Sequence, residues 1–580
     1  KNYKFIFNSI NNNYKFTFII LFITMIFSAV LEVGSIASLA PFLQKLISMD
    51  ESRKIIFFDD FFFNNSFYEK NRFFVITAFF ILFIILSSAI KLIQLKLVVN
   101  FTKNIGYFFS SKIFNKIISL SYSDFTGENS SRYLSIIETK IDRIVDTIYN
   151  TMELLSCLII LLFIFVALTI TNYQITITLF AFFFICYISL FKFYKKKLVG
   201  YGIAYSKGLE NRVKITQELF GSFRLLKIEG NIMRNFFLNR FGKFDYTIRS
   251  SQKSLNFISN FPRFVIEGIA IIVIALLAFF LMKFKIYDKE MILISLGIVG
   301  FSAQKILPLI QRIYFATSQI LAQKEAVYDA INFLLNFKKE ENYIKNKNID
   351  FIFKDKIVMK NISFSYKNIK EKKILKNINL QIKKGSKVCI LGQTGSGKST
   401  IVDLLSGLLK PDTGNIIIDN YNIEDIMKSW HNQISYVPQH TFLTDGTILE
   451  NVAFGIEPSD IDLKKVDFAI EQAGIKSFTD NLPDKLLTKI GERGILLSGG
   501  QIQRLGLARA FYKNFEVLIM DESTNALDTA TQDYIYSNIE KNLKNKTIFT
   551  ITHKSSLAKN ADIVLHLDDG NVNIEYKNLS

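Results

Sequence analysis

The sequence predicts an α-helical transmembrane bundle of six spans followed by an α/β domain, and three observations predict it. Phenylalanine occurs 57 times and mean hydropathy is positive, +0.24. That is the balance of a membrane chain rather than of a soluble one. Charge-free runs alternate with lysine-rich stretches through the first half. The last 230 residues alternate strand-like and helix-like segments, the pattern of an α/β domain.

The spans come first. Residues 16–44 form one long apolar stretch broken only by Glu32, and residues 73–90 carry no charge. Residues 154–191 are also charge-free, and 38 residues exceed what one crossing needs. A bilayer core takes about 20 helical residues, so the run divides into two helices, joined at 171–174 ("TNYQ"). Residues 268–282 and 291–304 are shorter charge-free cores that complete the six. The chain starts at Lys1 rather than Met. Its first apolar segment is too long for a cleavable signal peptide and lacks a cleavage site.

Orientation follows from the cations. The segment between the second and third spans (Lys96, Lys103, Lys112, Lys116) is basic, as is the one between the fourth and fifth (Lys192, Lys195, Lys196, Lys197, Lys207). The alternate connections are short or include acids such as Asp50, Glu51, Asp59 and Asp60. Both termini and the C-terminal domain are therefore expected on the cytoplasmic side. The two basic segments, about 55 and about 70 residues long, read as continuations of the spanning helices. The net charge of +19 is then a topology signal. The lysines are spread over segments facing one side, without a clustered aromatic–basic motif, and a nucleic-acid partner is not expected. The three cysteines, Cys157, Cys186 and Cys389, lie far apart in apolar or strand contexts and read as small hydrophobes, not ligands.

The expected domains are 1–335 in the membrane with cytosolic helix extensions, 336–350 as a polar linker ("NFKKEENYIKNKNID"), and 351–580 as the α/β domain. In the last, "GQTGSGKST" follows the strand "KVCILG" and precedes the helical "IVDLLSGLL". This is the phosphate-loop pattern in its proper context. Gly392, Gln393, Thr394, Gly395, Ser396, Gly397, Lys398, Ser399 and Thr400 are expected to ring a polyphosphate. Lys398 would reach the β/γ-phosphates and the Ser399 hydroxyl would ligate Mg²⁺. "VLIMDE" is an apolar strand ending in Asp521, expected near the Mg²⁺ (in its second shell), and Glu522, expected to polarise an attacking water. His553 ends the next strand, "TIFTITH", where it would contact a γ-phosphate.

These residues resemble the nucleotide-binding domain of ABC transporters. "LLSGGQIQR" resembles the family's signature motif, with Ser498, Gly499, Gly500 and Gln501 at its core. Gln439 in "YVPQH" resembles the glutamine that touches Mg²⁺, and Tyr366 in "SFSY" the aromatic residue that stacks on adenine. Asp528 in "NALD" is similar to the D-loop aspartate, while Asn525 stands where the family usually has serine. Six spans ahead of such a domain resemble the type I exporter layout, so the resemblance covers the whole chain. It implies an ATPase coupled to transport, with ATP and Mg²⁺ as cofactors. It also implies a site completed by a partner chain, whose Ser498, Gly499, Gly500 and Gln501 cap the nucleotide. A homodimer is the expectation and a heterodimer the alternative. Residues 121–142 and 217–230 resemble the two intracellular loops that dock on the ATPase domains.

The intramembrane cations bear on what is moved. Lys91, Arg263, Lys305 and Arg312 lie on three expected spans, Lys305 and Arg312 seven apart on one helix face. They either line a cavity that attracts a phosphate-bearing head group, or snorkel and pair with Glu32 and Glu267. "PRFVIEG" with "KILPLIQRI", and the aromatic, charged segment 46–72, resemble bacterial flippases of lipid-linked oligosaccharides. That resemblance implies an amphipathic, polyprenyl-linked glycan moved across the bacterial cytoplasmic membrane. A lipid A or general lipid flippase, a peptide or drug exporter, and an ATP-gated channel or regulator are the alternatives.

Overall fold

The computed structural model describes residues 12–47, 71–171, 173–283, 289–336, 349–366 and 373–577. It divides into two units. One holds residues up to 119 and 128–338; the other holds Leu120–Gly127 and Lys339–Ser580. The expected linker lies largely, and the outward segment 46–72 mostly, outside the described residues.

The first unit is all helix. The expected first span is two helices, α1 (Asn12–Ala37) and α2 (Leu39–Ile47), where the sequence suggested one. Pro41 explains the break: it has no N–H to donate and its ring crowds the carbonyl four residues back, at Ala37. Next come α3 (Arg72–Ile118), the short helices α4 (Tyr122–Thr126, in the second unit) and α5 (Ser130–Ser135), and a π-helical turn over Ile136–Lys140. Ser121 and Asn129 cap α4 and α5, each side chain accepting a first-turn N–H. Then follow α6 (Ile141–Thr171), α7 (Tyr173–Gly221), α8 (Phe223–Glu229), α9 (Asn231–Lys283) and α10 (Lys289–Asn336).

The division of the long apolar run falls where its length required, with α6 ending at Thr171 and α7 starting at Tyr173. The helices α3, α7, α9 and α10 have 47, 49, 53 and 48 residues. At 1.5 Å per residue they reach about 70–80 Å, more than twice a bilayer core of about 30 Å. The basic segments thus lie on helices far longer than one crossing requires. Among the described residues four helical stretches are long and apolar enough to cross: Tyr14–Leu46, Arg72–Ile118, Ser130–Ile170 and Asn231–Leu276. The expected fourth and sixth spans fall on α7 and α10. Leu21, Phe101, Phe109, Ile144 and Ala330, all buried, join α1, α3, α6 and α10 in one core.

The second unit holds two sheets. β1 (Lys356–Phe364), β2 (Leu375–Lys383), β4 (Thr413–Ile418) and β5 (Tyr421–Asn422) form an antiparallel sheet in the order β2-β1-β4-β5. The larger sheet runs β10-β9-β3-β8-β7-β6, with β3 (Lys387–Gly392), β6 (Ile434–Val437), β7 (Val517–Asp521), β8 (Thr547–Ile551), β9 (Ile563–Asp568) and β10 (Asn571–Tyr576). All its pairings are parallel except β9 with β10. The five burial positions of β7 are all filled, as a sheet covered on both faces requires. Because β3, β8, β7 and β6 are parallel neighbours, the segments that follow them leave one edge of the sheet. That edge is where open α/β sheets gather their ligands.

Candidate functional site

β3 ends at Gly392 and the chain turns into α11 (Lys398–Leu405). Gly397, with φ +103°, makes that turn. A Cβ there would lie 3.0 Å from Leu375 Cδ2 and 3.3 Å from the Ile374 carbonyl oxygen, so the position needs glycine for conformation and for space. The unpaired N–H groups of the first turn of α11 suit an anion. Ser396 Oγ is buried with no hydrogen-bond partner among the described residues. An orphaned hydroxyl in such a loop fits a phosphate oxygen.

Lys398 Nζ donates to the carbonyl oxygens of Gly392 (2.8 Å) and Gln393 (3.0 Å). Burial pulls its pKa below the usual lysine range, while Glu522 and Asp521 work to keep it charged. Asp521, at the end of β7, is buried and takes hydrogen bonds from Ser399 and from the Tyr436 hydroxyl, the latter at 3.3 Å. Burial raises its pKa against those bonds. A hydroxyl, a carboxylate and the Gln439 amide oxygen are the hard oxygen donors Mg²⁺ takes. No group of three His, Cys, Asp or Glu side chains able to hold a metal occurs among the described residues. Phosphate oxygens would have to complete the shell.

Glu522 follows Asp521 with φ 47°, a left-handed backbone that a glutamate adopts only under constraint. Its N–H donates to the Ile551 carbonyl, 3.1 Å. Three side chains then converge on its carboxylate. His553 Nε2 stands 2.5 Å from Oε1; Gln439 Nε2 and Asn525 Nδ2 donate to Oε2 at 2.9 and 3.1 Å. Residues following β6, β7 and β8 thus share one carboxylate, and the departure at Asn525 adds a third contact to it. Such a group is fixed in place to accept a proton from, or orient, a nearby water.

Tyr366 is half-exposed, sits edge-on to Phe364 and shares a 3.2 Å hydrogen bond with Thr400 Oγ1. Ser498 caps α16, the helix over Gly499–Tyr512, reached after α12 (Met427–Gln433), α13 (Ile448–Val452), α14 (Leu463–Gln472) and α15 (Lys476–Asp480). Ser498 Oγ accepts the Gln501 N–H (3.3 Å), and Gln501 Oε1 accepts the Ser498 N–H (2.7 Å). The capping box leaves the hydroxyl proton of Ser498 free to donate elsewhere. Gln503 Oε1 accepts the Ala526 N–H at 2.9 Å, tying this helix to the turn after Glu522. Asp528 caps the last helix, α17 (Thr529–Asn542). Among the described residues no hydrogen bond or ion pair joins 498–501 to 392–400. The structure gathers Lys398, Ser399, Gln439, Asp521, Glu522 and His553, and leaves the signature residues apart from them.

Two neighbours escaped the sequence. Tyr436 touches Asp521, and Asp403 on α11 is pushed up to about 6 by burial and by the charge of Asp521. Tyr436 opens "YVPQH" and Asp403 lies one turn beyond the phosphate loop; Tyr436 is brought to Asp521 by the pairing of β6 with β7, and Asp403 by the position of α11.

In the membrane unit the four singled-out cations all meet acids. Lys91 Nζ and Lys305 Nζ lie 2.7 and 3.0 Å from the two carboxylate oxygens of Glu32, which is 2 % exposed and also bonded by Ser87. Arg263 pairs with Glu267 (3.0 Å), which Gln311 also contacts, and Arg312 with Glu153 (3.4 Å). The Arg263 and Arg312 side chains remain 59 % and 66 % exposed. The single Glu32 carboxylate offsets only one of the two lysine charges, and both guanidinium groups stay accessible.

A phosphate loop, two carboxylates and a histidine at one edge of a parallel sheet define a P-loop nucleotide-hydrolysing domain, here in one chain with long membrane-spanning helices. The C-terminal unit is an ATP-binding domain of the ABC transporter family: residues 375–525 match the family model described as ABC transporter. An ATP-dependent lipid A-core flippase of Idiomarina loihiensis is 39 % identical over 217 residues, 37 % of either chain. A putative multidrug export ATP-binding/permease protein of Bacillus subtilis is 34 % identical over 256 residues, 44 % of this chain and 43 % of that one. The chain thus spans less than half the length of these relatives. The solved structure of a bacterial Atm1-family ABC exporter with ATP bound superposes with a TM-score of 0.77 at 20 % identity, over 98 % of this chain and 96 % of that one. At that identity the likeness is one of fold, and it extends through both units.

Proposed function

We propose that the chain is half of an ATP-driven exporter that moves an amphipathic substrate across the bacterial cytoplasmic membrane. One observation carries this: hydrolytic groups brought together at one sheet edge (Lys398, Asp521, and Glu522 held by His553 and Gln439) on a chain whose other unit is built of helices long and apolar enough to span a membrane. Water attacks the γ-phosphorus, Glu522 takes its proton and ADP leaves. Lys398 and the loop amides carry the phosphate charge; Ser399, Gln439 and Asp521 would hold Mg²⁺, which would supply further neutralisation of the developing charge.

The site takes its remaining groups from a second copy. The separation of Ser498, Gly499, Gly500 and Gln501 from the phosphate loop supports this, as do exposed apolar residues just before them, Ile495 (80 %) and Leu496 (72 %). Phe220, Phe223, Ile228 and Ile232, around α8, are likewise exposed on the single chain. A dimer of identical chains would form two equal sites; two unlike chains are the alternative. Closing and reopening of the nucleotide sandwich drives the substrate step, passed through the segments 121–142 and 217–230. Leu120–Gly127 groups with the ATPase unit, in line with that role.

For the substrate we favour a polyprenyl-linked oligosaccharide. The exposed Arg263 on α9 and Arg312 on α10, with Lys305 two turns before Arg312 and Lys91 on α3, would draw its phosphate groups. A lipid A-core flippase among the relatives makes lipid A the second reading. The test uses the full chain in proteoliposomes, with lipid-linked glycan, lipid A, a hydrophobic peptide or no addition. ATP turnover stimulated by the glycan, with its vectorial movement, supports the proposal. Stimulation by lipid A or peptide alone, or ion conductance without substrate movement, overturns it.

A further inference from the structure

The stretch 191–197 of α7, "FKFYKKK", is an aromatic–basic cluster, which corrects the expectation that the lysines are merely spread. Phe184 and Ile185, 66 % and 65 % exposed, mark the outward face of α7. About two to three turns on, the same face carries Lys192, Phe193 (67 % exposed), Lys195 and Lys196, all exposed, while Leu198 is buried against Leu255, Ile258 and Ala322. Lys192 is 19 residues beyond Tyr173, the start of α7. At 1.5 Å per residue that is about 28 Å, close to the full thickness of a hydrocarbon core. An apolar, outward stripe therefore gives way to lysines at the depth where acyl chains give way to head groups.

The lysines lack counter-charge. None of Lys192, Lys195, Lys196 and Lys197 forms an ion pair among the described residues; Lys197 lies instead over the rings of Phe193 (5.5 Å) and Tyr194 (5.6 Å). No Asp or Glu occurs in 173–209 of α7, nor in 246–266 of α9 or 291–324 of α10, the helices packed against it here. Tyr194 and Phe261 pack edge to face, and Phe261 stacks on Phe257, which adds an aromatic border. Such rings settle at the membrane–water interface, and a cation cluster there is complementary to phosphate.

We propose that the Lys192–Lys197 face of α7 holds the head group of an anionic bilayer phospholipid. The proposal depends on α7 crossing the membrane, not on the identity of the transported substrate. The purified full-length chain would be titrated with phosphatidylglycerol and with phosphatidylcholine, and bound lipid counted by native mass spectrometry. Replacing all four lysines by glutamine should lower the preference for phosphatidylglycerol by about tenfold or more, and replacing them by arginine should keep it. High salt should weaken binding to the unaltered chain. An undiminished preference in the glutamine variant overturns the proposal. So does a change of oligomeric mass without a change in lipid retention, which would make this face an interface between copies.

Discussion

Asn525 and Gln439 donate to the same carboxylate oxygen of Glu522, at 3.1 and 2.9 Å, while His553 stands against the other oxygen. A glutamate in a left-handed backbone conformation is thereby fixed from three directions. Glu522→Gln should lower ATP turnover by about 10²–10⁴-fold with nucleotide affinity unchanged. Asn525→Ala releases one of three restraints and should cost about two- to tenfold in kcat with little change in KM. Phosphate-release kinetics and nucleotide binding check both; turnover at the original rate in Glu522→Gln would remove Glu522 from the chemistry.

Asp403 gives a pH signature. Its pKa, pushed up to about 6 from the usual 3.8, means that the folded domain holds a proton the unfolded chain releases. The stability from this group is complete below about pH 4 and is lost as pH rises through about 6. Asp403→Asn removes the buried charge, so it should stabilise the ATPase unit at pH 7.5 by about 1–2 kcal/mol, and the gain should fade toward pH 4. Thermal melts of the full chain across that range decide it. A destabilised variant at pH 7.5 would contradict the assignment.

Much of this was legible in the sequence, and the exceptions have a common cause. Loop, strand and helix order placed Lys398, Asp521 and Glu522, because each motif is local and its backbone neighbours dictate its geometry. The division at Thr171 followed from bilayer thickness alone. The break at Ser38 was also local, since Pro41 signals it, but an apolar run hid it. Lys140 was not legible. It is 4 % exposed, on a π-helical turn, and sits 3.3 Å from both Glu210 and Asp329, which are 70 and 189 residues away. Asp403 and Tyr436 escaped for the same reason, since only strand order brings them to Asp521.

Glu32 binds two lysines, so removing its charge strands both. Glu32→Gln should destabilise the membrane unit by about 1–3 kcal/mol, the lower end reflecting the partly exposed Lys91. Lys91→Gln alone, which leaves the Lys305 pair, should cost less. The midpoint of heat-induced loss of monodisperse protein in detergent measures both, and an unchanged midpoint for Glu32→Gln would show that the cluster contributes nothing.

Ser498 accepts a backbone N–H and keeps its own proton to donate. Ser498→Ala should weaken the cap by about 1 kcal/mol and reduce ATP turnover by about 10-fold or more. ATP binding to the phosphate loop of the same chain should survive. Loss of that binding would mean that Ser498 serves its own loop, contrary to the geometry.

The claim that two chains complete each nucleotide site is tested most directly by counting chains. Lipid nanodiscs holding one copy and nanodiscs holding two would be separated, and ATP turnover measured per chain in each. The account predicts turnover in two-copy discs and little above background in one-copy discs. Equal rates per chain in both would contradict it.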